Sequence, residues 1–312
     1  MSSTVPPAVT VRTPATSANL GPGFDALGLA LSLYDEVTVE VTAGGLTVEV
    51  EGEGAVGVAR DGDNLVVRAL RAALARLGFE PPGLAVRCRN HIPHGRGLGS
   101  SAAAICAGVV AARALVPDGD RVLDDAAALA LATSFEGHPD NVAACLAGGL
   151  TIAWSEQSPV RETAASLVPR LVRLDPSSEL VPVVCVPEWT LTTEQARGLL
   201  PDRVGHHEAA VNAGRAALLV AALTRHPELL WSATEDRLHQ HYRAPAMPET
   251  IELLHRLRAR GVPAVVSGAG PSVLAFTHGE GTDSIGPEVG TGWHIHLLNV
   301  EREGARVRQV RS

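Results

Sequence analysis

The 312-residue chain contains no lysine, and all 26 of its basic residues are arginine. That absence excludes a P-loop lysine on the β- and γ-phosphates of a nucleotide, a pyridoxal Schiff base and any lysine general base. Cysteine is scarce as well. Cys88, Cys106, Cys145 and Cys185 stand far apart, so they form no C-x-x-C pair and no zinc-finger spacing, and buried reduced thiols are expected. Long apolar runs are missing: Arg or Asp interrupts every Ala-rich segment before bilayer length, and residues 1–7 lack the basic stretch and apolar run of a signal peptide. The expectation is a cytoplasmic protein with no membrane partner. A formal charge of −8 with scattered arginines argues against a nucleic-acid partner, which needs a dense basic face.

What is present fits a globular chain with well-buried cores: 46% apolar residues, 31 Gly and 21 Pro, at a length for which two domains is the better expectation. Residues 36–42 (EVTVEVT) and 46–51 (LTVEVE) alternate around Ala43-Gly44-Gly45, the pattern of a β-hairpin with one solvated face. A helix is expected over 64–77, a strand over 84–89, a Gly-rich loop over 91–99 and an Ala-dominated helix from 100 to about 115. A helix over 123–135, another beginning near Asp140 and a strand over 149–154 follow, and 155–174 has loop character with a domain junction inside it, dividing the chain into 1–165 and 166–312. Beyond it come a strand over 181–186, helices near 194, 208 and 248–260, and strands over 264–267 and 273–276. Strands alternating with helices, plus an antiparallel pair, indicate an α+β protein.

The strongest chemical signal is Pro93-His94-Gly95-Arg96-Gly97-Leu98-Gly99-Ser100-Ser101-Ala102-Ala103, set between an expected strand and an expected helix. Alternating glycines let backbone approach a ligand, and the turn into a helix N-terminus aims free N–H groups and the positive end of the helix dipole at one point, which suits a polyphosphate. The serines either cap that helix or hold a magnesium ion. The spacing lacks the G-K-[ST] ending of a Walker A loop, and it is not the G-x-G-x-x-G of a dinucleotide fold, which sets a dehydrogenase aside.

This loop resembles the second motif of the GHMP kinases, P-x-G-x-G-L-G-S-S-A. The other two motifs of that superfamily also stand in order: Pro14-Ala15-Thr16-Ser17-Ala18-Asn19-Leu20-Gly21-Pro22-Gly23-Phe24-Asp25 and Ser267-Gly268-Ala269-Gly270-Pro271-Ser272. Within the superfamily, the first of these is similar to the homoserine kinases, as are 136–142 (EGHPDNV), 191–197 (LTTEQAR) and 236–243 (DRLHQHYR). The resemblance implies a ribosomal protein S5-like N-terminal domain, a ferredoxin-like C-terminal domain, an ATP site between them and a homodimer.

L-Homoserine is a zwitterion with a primary hydroxyl, so its site needs a cation, an acceptor for the ammonium and a polar group at the hydroxyl. The resemblance supports Arg197 and Arg243 for the carboxylate, Asp25 and Asn19 for the amino end, and His138 and Asn141 at the hydroxyl, with Thr193 a further substrate-side candidate. Glu136 with Ser100 or Ser101 would hold magnesium, and Asp140 is either a catalytic carboxylate or the cap of the helix that follows. Asn64-Leu65-Val66 resembles the family's nucleoside-pocket segment, and Ser267 to Ser272 should support the phosphate loop more than bind. Two rival readings share the fold: a mevalonate-type kinase, whose site would not need the ammonium acceptor, and a non-catalytic sensor, which would be expected to have lost Glu136 or the serines.

Overall fold

The computed structural model describes residues 8–157, 167–277 and 285–311. Its spine is β1 (Ala8–Ala18) against β2 (Leu27–Thr42), antiparallel along the whole of β1 with a register shift between Pro14 and Ala15. There follow β3 (Gly45–Gly52), α1 (Leu65–Arg76), β4 (Gly83–Asn90), α2 (Ser100–Leu115), α3 (Gly119–Val122), α4 (Asp125–Glu136), α5 (Pro139–Ala147), β5 (Leu150–Gln157) and β6 (Leu167–Leu174). A second group comprises β7 (Val181–Pro187), α6 (Thr193–Arg197), α7 (His206–Thr224), α8 (Leu230–Ala233), α9 (Pro248–Ala259), β8 (Ala264–Val266), β9 (Val273–Thr277), α10 (Gly286–Val289) and β10 (Trp293–Leu297), after which β11 (Arg306–Arg311) ends the chain.

One sheet runs β11-β1-β2-β4-β3, with β5 on β2 and β6 on β5; the other is antiparallel in the order β10-β7-β9-β8. The architecture is α+β, as the sequence indicates. Sheet membership does not follow chain order, because β11 returns to the first sheet after β7 to β10 have formed the second. The junction expected at 165/166 lies outside the described residues. Part of the segment read as loop, 155–174, is strand instead: β5 runs to Gln157, and β6 pairs with it from Leu150↔Leu174 to Gln157↔Leu167. No helix among the described residues is long and apolar enough to cross a membrane.

The expected hairpin over 36–51 does not form. β4 lies between the two strands, antiparallel to β2 and parallel to β3, and Gly83 pairs with both Thr42 and Gly45. The link therefore steps over the end of β4. A Cβ on Gly83 would sit 2.4 Å from the Gly44 carbonyl carbon and from Thr42 Oγ1, so glycine there makes the crossing sterically possible. Alternation records that one face of a strand is buried, not which strand lies beside it.

Helices α1, α2, α4 and α5 pack as a layer on the first sheet. α1 is helical because its apolar residues recur on one face and because Asn64 caps it, its Oδ1 accepting the N–H groups of Val66 and Val67 at 3.0 and 3.4 Å. Leu70 and Leu74 on that face are buried, each contributing about 1.5–3 kcal/mol by the usual transfer scale. α2 is apolar on most sides because it lies between the sheet and helices α1, α4 and α5. Its Gly108 admits α1 closely, since a Cβ there would meet Val66 O at 2.6 Å and Leu70 N at 2.7 Å.

Candidate active site

The loop from β4 into α2 turns through Gly95, Gly97 and Gly99, with φ of +64°, +70° and +68°. Side chains rarely adopt that region, and space forbids them too: a Cβ on Gly97 would lie 2.2 Å from Ser267 O, and one on Gly99 2.0 Å from Thr16 Oγ1. Gly99 is the N-cap of α2 and supplies no side-chain acceptor. The first N–H groups of that helix are thus left for a ligand, at the positive end of a 16-residue dipole.

Two other segments hold the loop from beneath. Thr16 N donates to Leu98 O at 3.0 Å, and Gly268 N to Ala18 O at 3.1 Å. Ser267 Oγ lies 2.6 Å from Gly97 O and 2.9 Å from Ser17 Oγ. The segment from Ser267 thus supports the loop, as its glycines indicate, and the three motifs form one hydrogen-bonded unit.

At the end of α4, Glu136 Oε1 accepts the Ser101 hydroxyl at 2.8 Å. Burial pushes the Glu136 carboxyl above its ordinary range, against the lowering effect of the Ser101 bond. A half-buried carboxylate beside a hydroxyl at a bare helix N-terminus fits magnesium, which takes few protein oxygens and fills its shell with phosphate and water. Ser101, not Ser100, makes the contact. Among the described residues no group of three or more His, Cys, Asp or Glu side chains forms a metal cage.

Gly137, at φ +92°, ends α4, and α5 starts with Pro139 at its first turn. The turn sets four polar side chains side by side. Asp140 is buried, and its Oδ1 accepts Asn141 N at 2.8 Å and lies 2.9 Å from His138 Nδ1. That hydrogen bond raises the His138 pKa, opposed by burial. Asn141 Oδ1 accepts the Thr16 hydroxyl at 2.8 Å, which leaves its Nδ2 group for the cavity.

The opposite wall carries the arginines. Arg197 grips Asp25 with both amino groups, at 2.6 and 3.2 Å. Asp25 is held in turn by its own N–H on Asn19 Oδ1 at 2.9 Å, while Asn19 Nδ2 donates to Gly268 O at 2.7 Å. Asn19, Leu20 and Asp25 all have positive φ, a concentration of backbone strain of the kind that functional sites retain. Arg243 is buried, with Nη1 3.1 Å from His239 Nδ1 and Nε without a partner. Arginine has no acceptor, so His239 Nδ1 must be one, and its Nε2–H donates to Gly21 O at 2.9 Å. Burial lowers the Arg243 pKa to about 10, with Arg197 adding to the shift. Both guanidinium groups stand over Phe24, 5.9 and 5.5 Å from the ring centroid.

One cavity of about 230 Å³ joins these walls; its lining includes Asn19, Glu136, His138, Asn141, Arg197 and Arg243. Thr193, Asp140, Gly95, Gly97, Leu98, Gly99, Ser100 and Ser101 line it as well. A second cavity of about 290 Å³, mostly apolar, meets the first at Gly95, Ser100 and Ser101 and is lined by Asn64, His94 and Ala103 among others. Four expected residues line neither. Asp25 reaches the first cavity only through Arg197, which does line it. Pro93 and Arg96 line a separate cleft, where Arg96 donates to Pro187 O at 2.8 Å and Glu188 O at 2.7 Å, and Ala102 is packed inside α2. The 3-10 turn His241–Ala246 carries Arg243 to the cavity. Thr16, Ser17 and His239 were missed as site residues, although the first two lie inside the first motif.

The fold and this loop define a GHMP-type kinase, and residues 64–149 match the family model described as GHMP kinases N terminal domain. The chain belongs to the homoserine kinases within that class. It is 57% identical over 300 residues to the homoserine kinase of Streptomyces coelicolor, covering 96% of this chain and 94% of that protein. The homoserine kinase of Mycolicibacterium smegmatis is 51% identical over 297 residues, 94% of this chain and 92% of its own. The crystal structure of homoserine kinase from Cytophaga hutchinsonii superposes with a TM-score of 0.83 at 27% identity, covering 97% of this chain and 98% of that one.

Proposed function

We infer that this protein transfers the γ-phosphate of ATP to the side-chain hydroxyl of L-homoserine, giving O-phospho-L-homoserine for threonine biosynthesis. The observation that carries the reading is the one cavity that runs from the bare N-terminus of α2 to Arg197, itself paired with Asp25, with Asn141 on its wall. A neutral alcohol substrate gives no reason to bury an arginine and hold a carboxylate at the far end. A zwitterion does, since Arg197 and Arg243 match its carboxylate while Asp25 and Asn19 match its ammonium.

The chemical step asks chiefly for alignment and charge neutralisation. The loop N–H groups from Gly95 to Ser101 take the phosphates, and Asn141, steadied by Thr16, places the hydroxyl with His138 beside it. Asp140 orients His138 and the start of α5, a task its buried Oδ1 is already performing. Glu136 and Ser101 would hold magnesium, which neutralises charge on the β- and γ-phosphates. The buried free state of Cys88, Cys106, Cys145 and Cys185 supports a reducing, cytoplasmic setting.

An ADP-release assay with ATP and magnesium, comparing L-homoserine, D-homoserine, L-serine, L-threonine and mevalonate, tests the reading. Turnover confined to L-homoserine, with phosphate found on its hydroxyl, is expected. Turnover with mevalonate and none with homoserine would overturn it, and ATP binding without turnover on any acceptor would leave a sensor.

A further inference from the structure

The apolar cavity next to the phosphate loop holds a carboxylate that the reaction does not use. Asp35, near the middle of β2, is only 4% exposed and yet lines this cavity with Val37, Val50, Val66 and Cys88. Its Oδ1 accepts two backbone N–H groups, from His91 at 2.6 Å and Ile92 at 2.9 Å, where β4 gives way to the loop. Among the described residues its Oδ2 accepts no hydrogen bond, and it is not sealed in protein either. An acceptor oxygen is therefore open to whatever enters the cavity.

The other polar side chains there are occupied differently. Asn64, which family resemblance marks for the nucleoside pocket, spends its Oδ1 capping α1 and donates from Nδ2 to Ala59 O at 2.8 Å. Asn90 donates to Glu53 O at 3.2 Å, and burial holds His94 towards its neutral form. Ser100 and Ser101 belong to the phosphate end. Of these groups Asp35 alone is anionic, and an anion with an open oxygen in an apolar cavity calls for a donor.

We propose that Asp35 is the residue that selects the nucleobase, its Oδ2 accepting the exocyclic amino group of adenine. The inference rests on the kinase reading above, with triphosphate on the loop and base in the adjoining cavity. Adenine offers a 6-amino donor, whereas hypoxanthine and guanine offer a 6-oxo acceptor, which would face the carboxylate oxygen with no hydrogen between them. Burial raises the Asp35 carboxyl to about 6, the backbone N–H bonds and His91 opposing the shift and Glu53 adding to it. At neutral pH the group is ionised and acts as an acceptor only.

The substitution Asp35→Asn isolates this role, because Oδ1 can still accept from His91 and Ile92 while the open oxygen becomes an N–H donor. Calorimetric binding of ATP and ITP to wild-type protein and the variant, followed by kcat/KM with each nucleotide, reads the outcome. The wild type is expected to favour ATP by at least about tenfold, and the variant to lose or invert that preference with the homoserine KM unchanged. An equal loss for both nucleotides would assign Asp35 to the loop alone and overturn the proposal. Should the variant not fold, purine riboside triphosphate, which lacks the amino group, is compared with ATP on the wild type; equal affinity overturns it. Binding needs no acceptor, so failure of homoserine turnover would fault the assigned reaction without deciding the base contact.

Discussion

Thr16 Oγ1 donates to Asn141 Oδ1 at 2.8 Å across 125 residues of sequence, from a residue whose own N–H holds the phosphate loop at Leu98 O. One buried threonine thereby ties the loop to the amide proposed to place the substrate hydroxyl. Thr16→Val keeps the shape and removes the hydroxyl, which frees the Asn141 amide to rotate. It should lower kcat by roughly 10- to 100-fold, as loss of outer-contact orientation commonly does, and leave the ATP KM within about twofold. Thr16→Ser, which restores the hydroxyl, should recover most of the rate. If Val and Ser behave alike under steady-state kinetics, the hydrogen bond has no part in turnover.

Arg197→Ala removes the bidentate partner of Asp25, leaving that carboxylate uncompensated, and with it the cation proposed for the substrate carboxylate. The homoserine KM should rise by about tenfold or more, given the worth of a charge-assisted pair that is a third exposed, and ATP affinity should be unaffected. Arg197→Lys should recover only part of the loss, since an ammonium cannot form the fork. Isothermal titration with each substrate checks both statements. Equal damage to ATP binding would move Arg197 out of the substrate end.

Glu136 has a folded pKa raised by burial. Stability from such a group is fully present below the unfolded value and is lost as pH rises through the folded one, so at neutral pH its charge destabilises the free protein. Glu136→Gln should therefore raise the nucleotide-free Tm at pH 8, have little effect near pH 4, and lower kcat by more than about tenfold. Thermal melts at the two pH values give the sign directly. A lower Tm at pH 8 would mean that the carboxylate is stabilising in the free state.

The His138–Asp140 bond works in the same direction with a different cause. The hydrogen bond raises the His138 pKa, so its contribution is complete below the unfolded value of about 6.5 and disappears as pH climbs through the folded one. The Tm difference between wild type and His138→Gln should be largest near pH 5.5 and shrink by pH 9. A difference that grows with pH would contradict the pairing.

Gly97→Ala forces a Cβ to within 2.2 Å of Ser267 O at a φ of +70°. The loop must shift off its support, at a cost of about 1–3 kcal/mol in strain, and the ATP KM should rise by about tenfold. Gly57→Ala has nothing within 4 Å of its Cβ and serves as the neutral control.

Much of this molecule was determined by sequence alone, because several of its instructions are local. Helix α1 is specified by its cap and its apolar period, α4 by Gly137, and the phosphate loop by glycines whose positive φ is written in their spacing. The three motifs carry fixed residue types at fixed offsets, so they identify the class and most of the cavity's lining. Only the tertiary structure decided the rest. The hairpin expected over 36–51 opened to admit β4 because alternation specifies a buried face and not a neighbour. Arg96 left the phosphate loop for the carbonyls of Pro187 and Glu188, and Thr16 met Asn141. Each of these is a choice among hydrogen-bond partners that chain packing brings within reach, and residue order does not encode which arrives first.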